Sequence, residues 1–154
     1  MQIADLLTPR TVIPQLRVTS KKQALQEIAR RAAAVTGCGE RRIYDVLAER
    51  ERLGSTGIGR GVAVPHGKLH ELSRLSGVFA RLERPIPFEA IDDHPVDLIF
   101  VLLVPTDVRS EHLTALAMVS RLLRDRMVCE KLRGTDKADA LYALLTDRTE
   151  SHAA

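Results

Sequence analysis

A chain of 154 residues with 45% hydrophobic and 28% charged residues is long enough to fold as one domain with a substantial core. Aromatic residues make up only 3% and Trp is missing, so the core must be aliphatic, and a protein that stacks single-stranded nucleic acid on aromatic rings is disfavoured. The net charge of +3 suits a partner with an acidic face and is too small to indicate nucleic-acid binding.

The chain shows no sign of a signal peptide or a membrane span. No apolar run approaches the roughly 18 residues of a spanning helix, and the acidic Asp5 stands where a signal peptide would carry basic residues. Cys38 and Cys129 belong to no Cys-x-x-Cys pair, which favours two reduced thiols. We therefore expect a cytoplasmic protein that needs no metal or other cofactor.

The N-terminal part of the chain is predicted to form a helical turn, a strand and a long helix. The turn covers residues 3–7 and the strand residues 11–18. Ser20 and Gln23 fit a capping box that opens the helix, and Gly37 is a typical helix stop. These three elements precede the second, strongly charged helix.

A second helix is predicted from about residue 40 to residue 52, with Gly54 ending it. Its apolar residues recur at helical spacing and should face inward; they are Ile43, Val46 and Leu47. The charged residues between them read as a solvated face.

Three strands are predicted beyond this helix. Residues 62–64 follow a glycine-rich loop, and residues 76–82 form the next strand. Residues 96–104 are almost continuously apolar, which indicates a strand buried on both faces at the centre of the sheet.

Helices follow in the C-terminal part. Ser110 is predicted to cap a third long helix, and shorter helices are expected over residues 125–133 and 136–146, separated by Gly134. Helices interleaved with strands predict an α/β single domain over residues 1–154 with helices on both faces of the sheet. Its core should cover about residues 3–147 and leave a polar tail at 148–154.

The segment from residue 53 to residue 68, LGSTGIGRGVAVPHGK, is the most informative one. It is a polar, glycine-rich loop that leads into a short apolar strand ending at Pro65 and His66. Glycines let a backbone or a phosphate come close. A histidine presented there can act as a nucleophile near neutral pH. We interpret His66 as the carrier of a phosphoryl group.

Other polar residues at the ends of predicted elements could complete a phosphoryl-transfer site. Arg50, at the end of the second helix, would clamp the phosphoryl oxygens. His112, at the start of the third helix, would donate a hydrogen bond beside a favourable helix terminus. Loop residues would support the phosphoryl group with N–H and hydroxyl donors; they are Ser55, Thr56, Gly59, Gly61 and Gly67.

Each of these residues also has a plainer interpretation. A lone histidine is most often a solvated side chain, and Arg50 stands among other charged residues. Ser55 and Thr56 could merely form a turn after Gly54. The loop also lacks the Gly-x-x-x-x-Gly-Lys-Ser/Thr pattern of a nucleotide-binding P-loop.

A metal hydrolase is the competing interpretation of the histidines. His66 and His70 have the i, i+4 spacing of a zinc-binding pair on a helix. Pro65 and Gly67 disfavour a helix at that point, and no acidic residue follows His66 directly.

The stretch from Arg50 to Gly67, with Ala-Val-Pro-His-Gly at its end, closely resembles the enzyme IIA domains of the mannitol/fructose class of the bacterial phosphotransferase system. Among these it looks most like the stand-alone nitrogen-type enzyme IIA. Residues 95–105 and the Glu-His-Leu at 111–113 resemble the central strand and the second histidine of that family. The likeness extends over about residues 3–147.

The resemblance implies a mixed β-sheet flanked by helices and phosphorylation of His66 on Nε2 by an HPr-type histidine phosphocarrier protein. His112 and Arg50 match positions that line the phosphorylation site of the family. A chain with no fused IIB domain is expected to be regulatory and to control partners such as potassium-transport or sensor-kinase proteins. The alternative is a sugar-transport enzyme IIA that passes its phosphoryl group to a separate IIB protein. Neither nucleic acid nor membrane insertion is implied.

Overall fold

A computed structural model describes residues 1–108 and 110–147. Its six strands form one mixed sheet in the order β1-β5-β6-β3-β2, with β4 pairing β6 beside β3. The strands are β1 (Val12–Leu16), β2 (Gly57–Gly59), β3 (Val62–Ala63), β4 (His66–Leu69), β5 (Ser76–Ile86) and β6 (Val96–Pro105). β6 runs antiparallel to β5 on one edge and parallel to β3 and β4 on the other. The apolar run that predicted a central strand is therefore confirmed.

Five helices cover the sheet: α1 (Lys21–Thr36), α2 (Glu40–Arg52), α3 (Ser110–Arg124), α4 (Arg126–Arg133) and α5 (Ala138–Thr146). Side chains of β6 alternate between two cores, as the two-residue period of a strand requires. Val101 and Leu103 pack with α1 and α2, whereas Phe100 and Leu102 pack with α3, α4 and α5. Each buried side chain of this size contributes roughly 1.5–3 kcal/mol. The predicted mixed sheet with helices on both faces is confirmed.

Caps set the limits of α1 much as the sequence predicts. The Ser20 hydroxyl accepts the Gln23 N–H, and Gly37 ends the helix with a φ of 80°. The capping box is not reciprocal, however, because the Gln23 carboxamide oxygen accepts from the N–H and hydroxyl of Thr19. α3 includes Ser110 itself, which was predicted to be its N-cap, and the preceding residue lies outside the described residues.

The strand predictions need correction at three places. β2 and β4 were not expected, and His66 opens β4 where it was predicted to follow a strand. β3 is shorter than the predicted 62–64, and β5 continues through Pro85 to Ile86. Pro85 is tolerated because the ladder between β5 and β6 is irregular between Arg81 and Ile86, so no paired N–H is lost.

Short elements lie at the N-terminal end of the chain. Single 3₁₀ turns at Ile3–Asp5 and Pro9–Thr11 precede β1, in agreement with the first predicted turn. The polar tail predicted at 148–154 lies outside the described residues. Within 1–108 and 110–147, every helix is too short or too polar to cross a membrane.

Gly67 lies where β4 packs against α2, and this packing can be tested. A Cβ built on Gly67 would lie 2.3 Å from Val46 Cγ1, and the β-branched valine has little rotamer freedom with which to yield. We expect Gly67→Ala to lower the free energy of unfolding by about 1–3 kcal/mol in urea titrations.

Two further variants make this test specific. Val46→Ala in the same chain should make Gly67→Ala less costly, because it removes the clashing methyl group. Gly134→Ala is the control, since its added Cβ would meet atoms no closer than 3.4 Å. A cost for Gly67→Ala as small as that of the control would contradict the packing role.

Candidate functional site

His66 lies on the edge of the sheet, where β4 begins. It pairs with Leu102 of β6, and the Leu102 N–H donates to the Pro65 carbonyl at 2.9 Å. Because directly paired residues point to the same face of a sheet, the half-buried imidazole lies on the α3 side, with Leu102. The next residue, Gly67, faces α2 on the opposite side.

A backbone carbonyl sets the tautomer of the imidazole. His66 Nδ1 lies 3.0 Å from the Val64 carbonyl oxygen. A carbonyl can only accept, so Nδ1 carries the proton and donates it to Val64. The lone pair of the neutral ring is then on Nε2, the nitrogen that can act as a nucleophile.

His112 stands next to His66, as the sequence predicts. It occupies the first turn of α3, and the two ring centroids are 5.8 Å apart with the ring planes tilted by 57°. Its Nε2 is buried and has no hydrogen-bond partner among the described residues. Desolvation lowers the pKa of His112, and the nearby His66 and Lys68 lower it further. A neutral His112 with a free ring nitrogen beside the His66 ring suits a group that meets a phosphoryl oxygen.

The Arg50 side chain is engaged by the turn that follows α2. Its Nη1 donates to the Gly54 carbonyl at 2.8 Å, which closes the turn after α2. Arg50 follows Val46 by one helical turn, so both lie on the stripe of α2 that faces Gly67 of β4. α2 covers the face of the sheet opposite to the His66 imidazole.

The hydroxyl groups of the loop have partners within the protein. Ser55 Oγ donates to the Phe88 carbonyl at 3.0 Å and accepts the Gly57 N–H at 3.1 Å. Thr56 is buried, and its hydroxyl donates to the Glu51 carboxylate. Both hydroxyls thus brace the loop, and their role as donors to a phosphoryl group stays a prediction.

The glycine-rich segment is a β-hairpin, which corrects the prediction of a loop around the phosphate. Gly59, the last residue of β2, and Gly61, in the turn between β2 and β3, have φ values of 100° and 81°. The Gly61 carbonyl accepts from Leu98, whereas His66 pairs with Leu102, so the turn and the imidazole are about 13 Å apart along β6. Neither glycine is adjacent to His66, and only Gly67 remains beside it.

Two charged residues of this region were not predicted from the sequence to have a role. Lys68 follows His66 by two residues in β4, so the two side chains lie on the same face of the sheet. The positive charge of Lys68 lowers the pKa of His112. Glu51, buried at the end of α2, binds the backbone and the hydroxyl of Thr56. Period-two spacing would reveal Lys68 once β4 is known, but Glu51 stands in a run of charges that looks entirely solvated.

The zinc interpretation loses its geometric basis. His66 and His70 lie on and just after a strand, and His70 pairs with the neighbouring Glu71 at 2.9 Å. Among the described residues, no three His, Cys, Asp or Glu side chains are grouped so that they could hold a metal ion.

The lowered pKa of His112 makes stability depend on pH. The unfolded chain takes up a proton near pH 6.5, whereas the folded protein resists it until a lower pH. We therefore expect the free energy of unfolding to fall as the pH drops below about 6.5. NMR titration of the His112 ring should give a pKa below 6.5, and His112→Gln should flatten the pH dependence of the melting temperature. A normal ring pKa, or an unchanged slope in the variant, would refute the assigned desolvation.

Comparison with known proteins identifies the family. The chain matches the family model "Phosphoenolpyruvate-dependent sugar phosphotransferase system, EIIA 2" over residues 5–148. A nitrogen regulatory protein of Bradyrhizobium diazoefficiens is 52% identical over 145 residues, which cover 94% of this chain and 95% of that protein. A fructose-specific EIIA component of Haloferax volcanii is 32% identical, with 97% of this chain and all of that protein covered.

A solved structure leads to the same result. The crystal structure of the nitrogen regulatory protein IIA-Ntr from Neisseria meningitidis superposes with a TM-score of 0.89 at 33% identity, covering 94% of this chain and 99% of that one. Sequence and fold therefore agree over nearly the whole length of the chain. The protein belongs to the EIIA type 2 family of the phosphoenolpyruvate-dependent sugar phosphotransferase system.

Proposed function

We propose that the protein is a phosphohistidine carrier of the nitrogen-related phosphotransferase system. His66 Nε2 accepts a phosphoryl group from the phosphohistidine of an HPr-type carrier, and the phosphorylation state determines which partner proteins bind. The observation that carries the proposal is the hydrogen bond from His66 Nδ1 to the Val64 carbonyl, since it leaves Nε2 free on a half-buried ring.

The transfer needs no proton to leave His66. The Nε2 lone pair forms the new N–P bond while the N–P bond of the donor breaks, and its electron pair returns to the donor imidazole. Nδ1 keeps its proton and its bond to Val64 throughout. Charge spreads over the three phosphoryl oxygens in the transition state, so positioned donors and cations supply the catalysis.

Groups around His66 suit this task. His112 brings a ring nitrogen that has no partner among the described residues, and the N-terminus of α3 adds a partial positive charge. Lys68 contributes a full charge from the same face of β4. Arg50 becomes available if it releases Gly54, and we assign it as the clamp on the phosphoryl oxygens.

Similarity favours a regulatory role. The nitrogen regulatory protein is 52% identical to this chain, against 32% for the fructose-specific component. We infer that the protein acts in the cytoplasm on regulated partners, such as potassium-transport or sensor-kinase proteins. The alternative is a sugar-transport component that hands its phosphoryl group to a separate IIB protein. It predicts that the phosphorylated protein loses its phosphoryl group to a cognate IIB within seconds.

The acceptor is tested by mass spectrometry. After incubation with phosphoenolpyruvate, enzyme I and the HPr-type carrier, we expect one acid-labile phosphoryl adduct on the wild-type protein and none on His66→Ala. His70→Ala is the matched control, because His70 is exposed and pairs only with its neighbour Glu71 in the described structure; it should be labelled normally. Full labelling of His66→Ala would refute the assignment.

Arg50 is tested by separating transfer from stability. We expect Arg50→Ala to slow phosphorylation about 100-fold, as loss of an oxyanion donor does, while its bond to Gly54 accounts for only about 1 kcal/mol of stability. The control is Arg52→Ala, which removes an exposed guanidinium paired with Glu49 on the same helix. Stopped-flow measurements check the transfer rate, and urea unfolding checks the stability. Equal effects of the two variants on the transfer rate would contradict the role of Arg50 as a clamp.

A further inference from the structure

We propose that Glu51 is the positioning residue that holds His66 in its nucleophilic tautomer, an inference that rests on the proposed phosphoryl transfer. Only 5% of the Glu51 side chain is exposed. Its carboxylate accepts the Thr56 N–H, at 3.2 Å from each oxygen, and also the Thr56 hydroxyl. Lys21 donates to the same carboxylate at 3.1 Å.

Hydrogen bonds connect this carboxylate to the imidazole. Thr56, held at its N–H and hydroxyl by Glu51, accepts the Val64 N–H on its carbonyl oxygen at 3.0 Å. Val64 in turn accepts His66 Nδ1–H on its own carbonyl at 3.0 Å. Through Thr56, Glu51 therefore orients Val64, the residue whose carbonyl accepts the His66 proton, without a hydrogen bond to the ring itself.

A carboxylate is the group that this position needs. It accepts hydrogen bonds at both oxygens and donates none, which matches the three donors that converge on it from Thr56 and Lys21. A buried charge is costly unless it is paired, and Lys21 supplies the pairing. A glutamine in the same place would turn an N–H₂ group toward one of these donors and leave it without an acceptor.

Surrounding contacts keep the ion pair in place. Lys21 Nζ lies 4.7 Å from the centre of the Phe88 ring and 3.5 Å from a Glu89 oxygen. Ser55 bonds the Phe88 carbonyl from the same loop that holds Thr56. Lys21, at the start of α1, thus contacts both the Glu51 carboxylate at the end of α2 and the segment after β5. We expect a change at this carboxylate to reach Val64 through Thr56.

The tautomer of His66 has a direct consequence for the reaction. If Val64 moves, Nδ1 loses its acceptor and the proton can shift to Nε2, where it occupies the lone pair that must attack phosphorus. Glu51→Gln should therefore lower the fraction of reactive histidine without removing any group that contacts phosphate. The expected loss in kcat/KM is roughly tenfold, by analogy with the lower end of the effect of groups that orient metal-binding histidines.

NMR of the unphosphorylated protein tests the proposal directly. In two-bond ¹⁵N–¹H spectra above the ring pKa, we expect the Nδ1–H form of His66 in the wild type and a clear Nε2–H population in Glu51→Gln. The matched control is Glu49→Gln, which changes an exposed carboxylate of the same helix, paired only with Arg52 in the described structure. It should leave both the tautomer and kcat/KM unchanged.

A purely structural role gives a different result. Glu51→Gln would then lower the melting temperature while the His66 tautomer and kcat/KM of the folded fraction stay as in the wild type, and this outcome overturns the proposal. If Glu51→Gln does not fold, Thr56→Val and Thr56→Ser replace it. Thr56→Val should show the Nε2–H form and Thr56→Ser should restore Nδ1–H, because only serine keeps the hydroxyl. Identical tautomers in the two Thr56 variants overturn the proposal as well.

The experiment separates this inference from the proposed function. A wild-type protein that never takes a phosphoryl group refutes the phosphocarrier assignment, whatever the tautomer of His66. The NMR comparison needs no phosphate, so it still decides whether Glu51 controls the ring.

Discussion

The backbone of β6 binds two short strands along a single edge, and this pairing decides where His66 lies. The Gly61 carbonyl accepts N–H groups of Asp97 and Leu98, and the Pro65 carbonyl accepts the Leu102 N–H further along. Each such bond contributes only about 0.5–1.5 kcal/mol, but an unpaired buried backbone group would cost more. Pro65, which has no N–H, falls between β3 and β4, so the edge strand is interrupted just before the histidine.

Alternation along β4 distributes the neighbours of His66 between two layers. The imidazole points to the side of α3 and meets His112, whereas Gly67 points to α2 and lets Val46 come close. The site therefore lies where both helical layers reach the same sheet edge. Arg50 belongs to the α2 layer, and its guanidinium is bonded to the Gly54 carbonyl.

Desolvation and local hydrogen bonds set the chemistry of the two rings in different ways. Burial favours the neutral form of His112. His112 therefore adds no positive charge beside the His66 ring to that of Lys68. His66 instead is oriented by the Val64 carbonyl. The buried pair of Lys21 and Glu51 adds little net stability, because desolvation offsets the Coulomb attraction, but its geometry is specific. Such a pair suits the orientation of a loop better than the strengthening of a core.

Local patterns in the sequence determined the five helices, the central strand and the caps at Ser20 and Gly37, since these features depend on neighbours within a few residues. The same patterns singled out His66 and His112, which the structure brings to 5.8 Å, and also Arg50, which it leaves on Gly54. The glycine-rich loop misled the prediction, because glycines required by a hairpin turn look the same in sequence as glycines that bind phosphate.

Tertiary structure alone decided the rest. β2 and β4 contain three and four residues, too few for a periodic signal, and they exist because β3 offers backbone partners to β2 and β6 offers them to β4. The tautomer of His66 depends on the Val64 carbonyl, which the folded backbone brings to its Nδ1, and the burial of Glu51 depends on Lys21 and Thr56, which come from two other segments. The sequence by itself singled out His66 as the proposed acceptor; the backbone conformation of the folded chain left its Nε2 as the nitrogen without a proton.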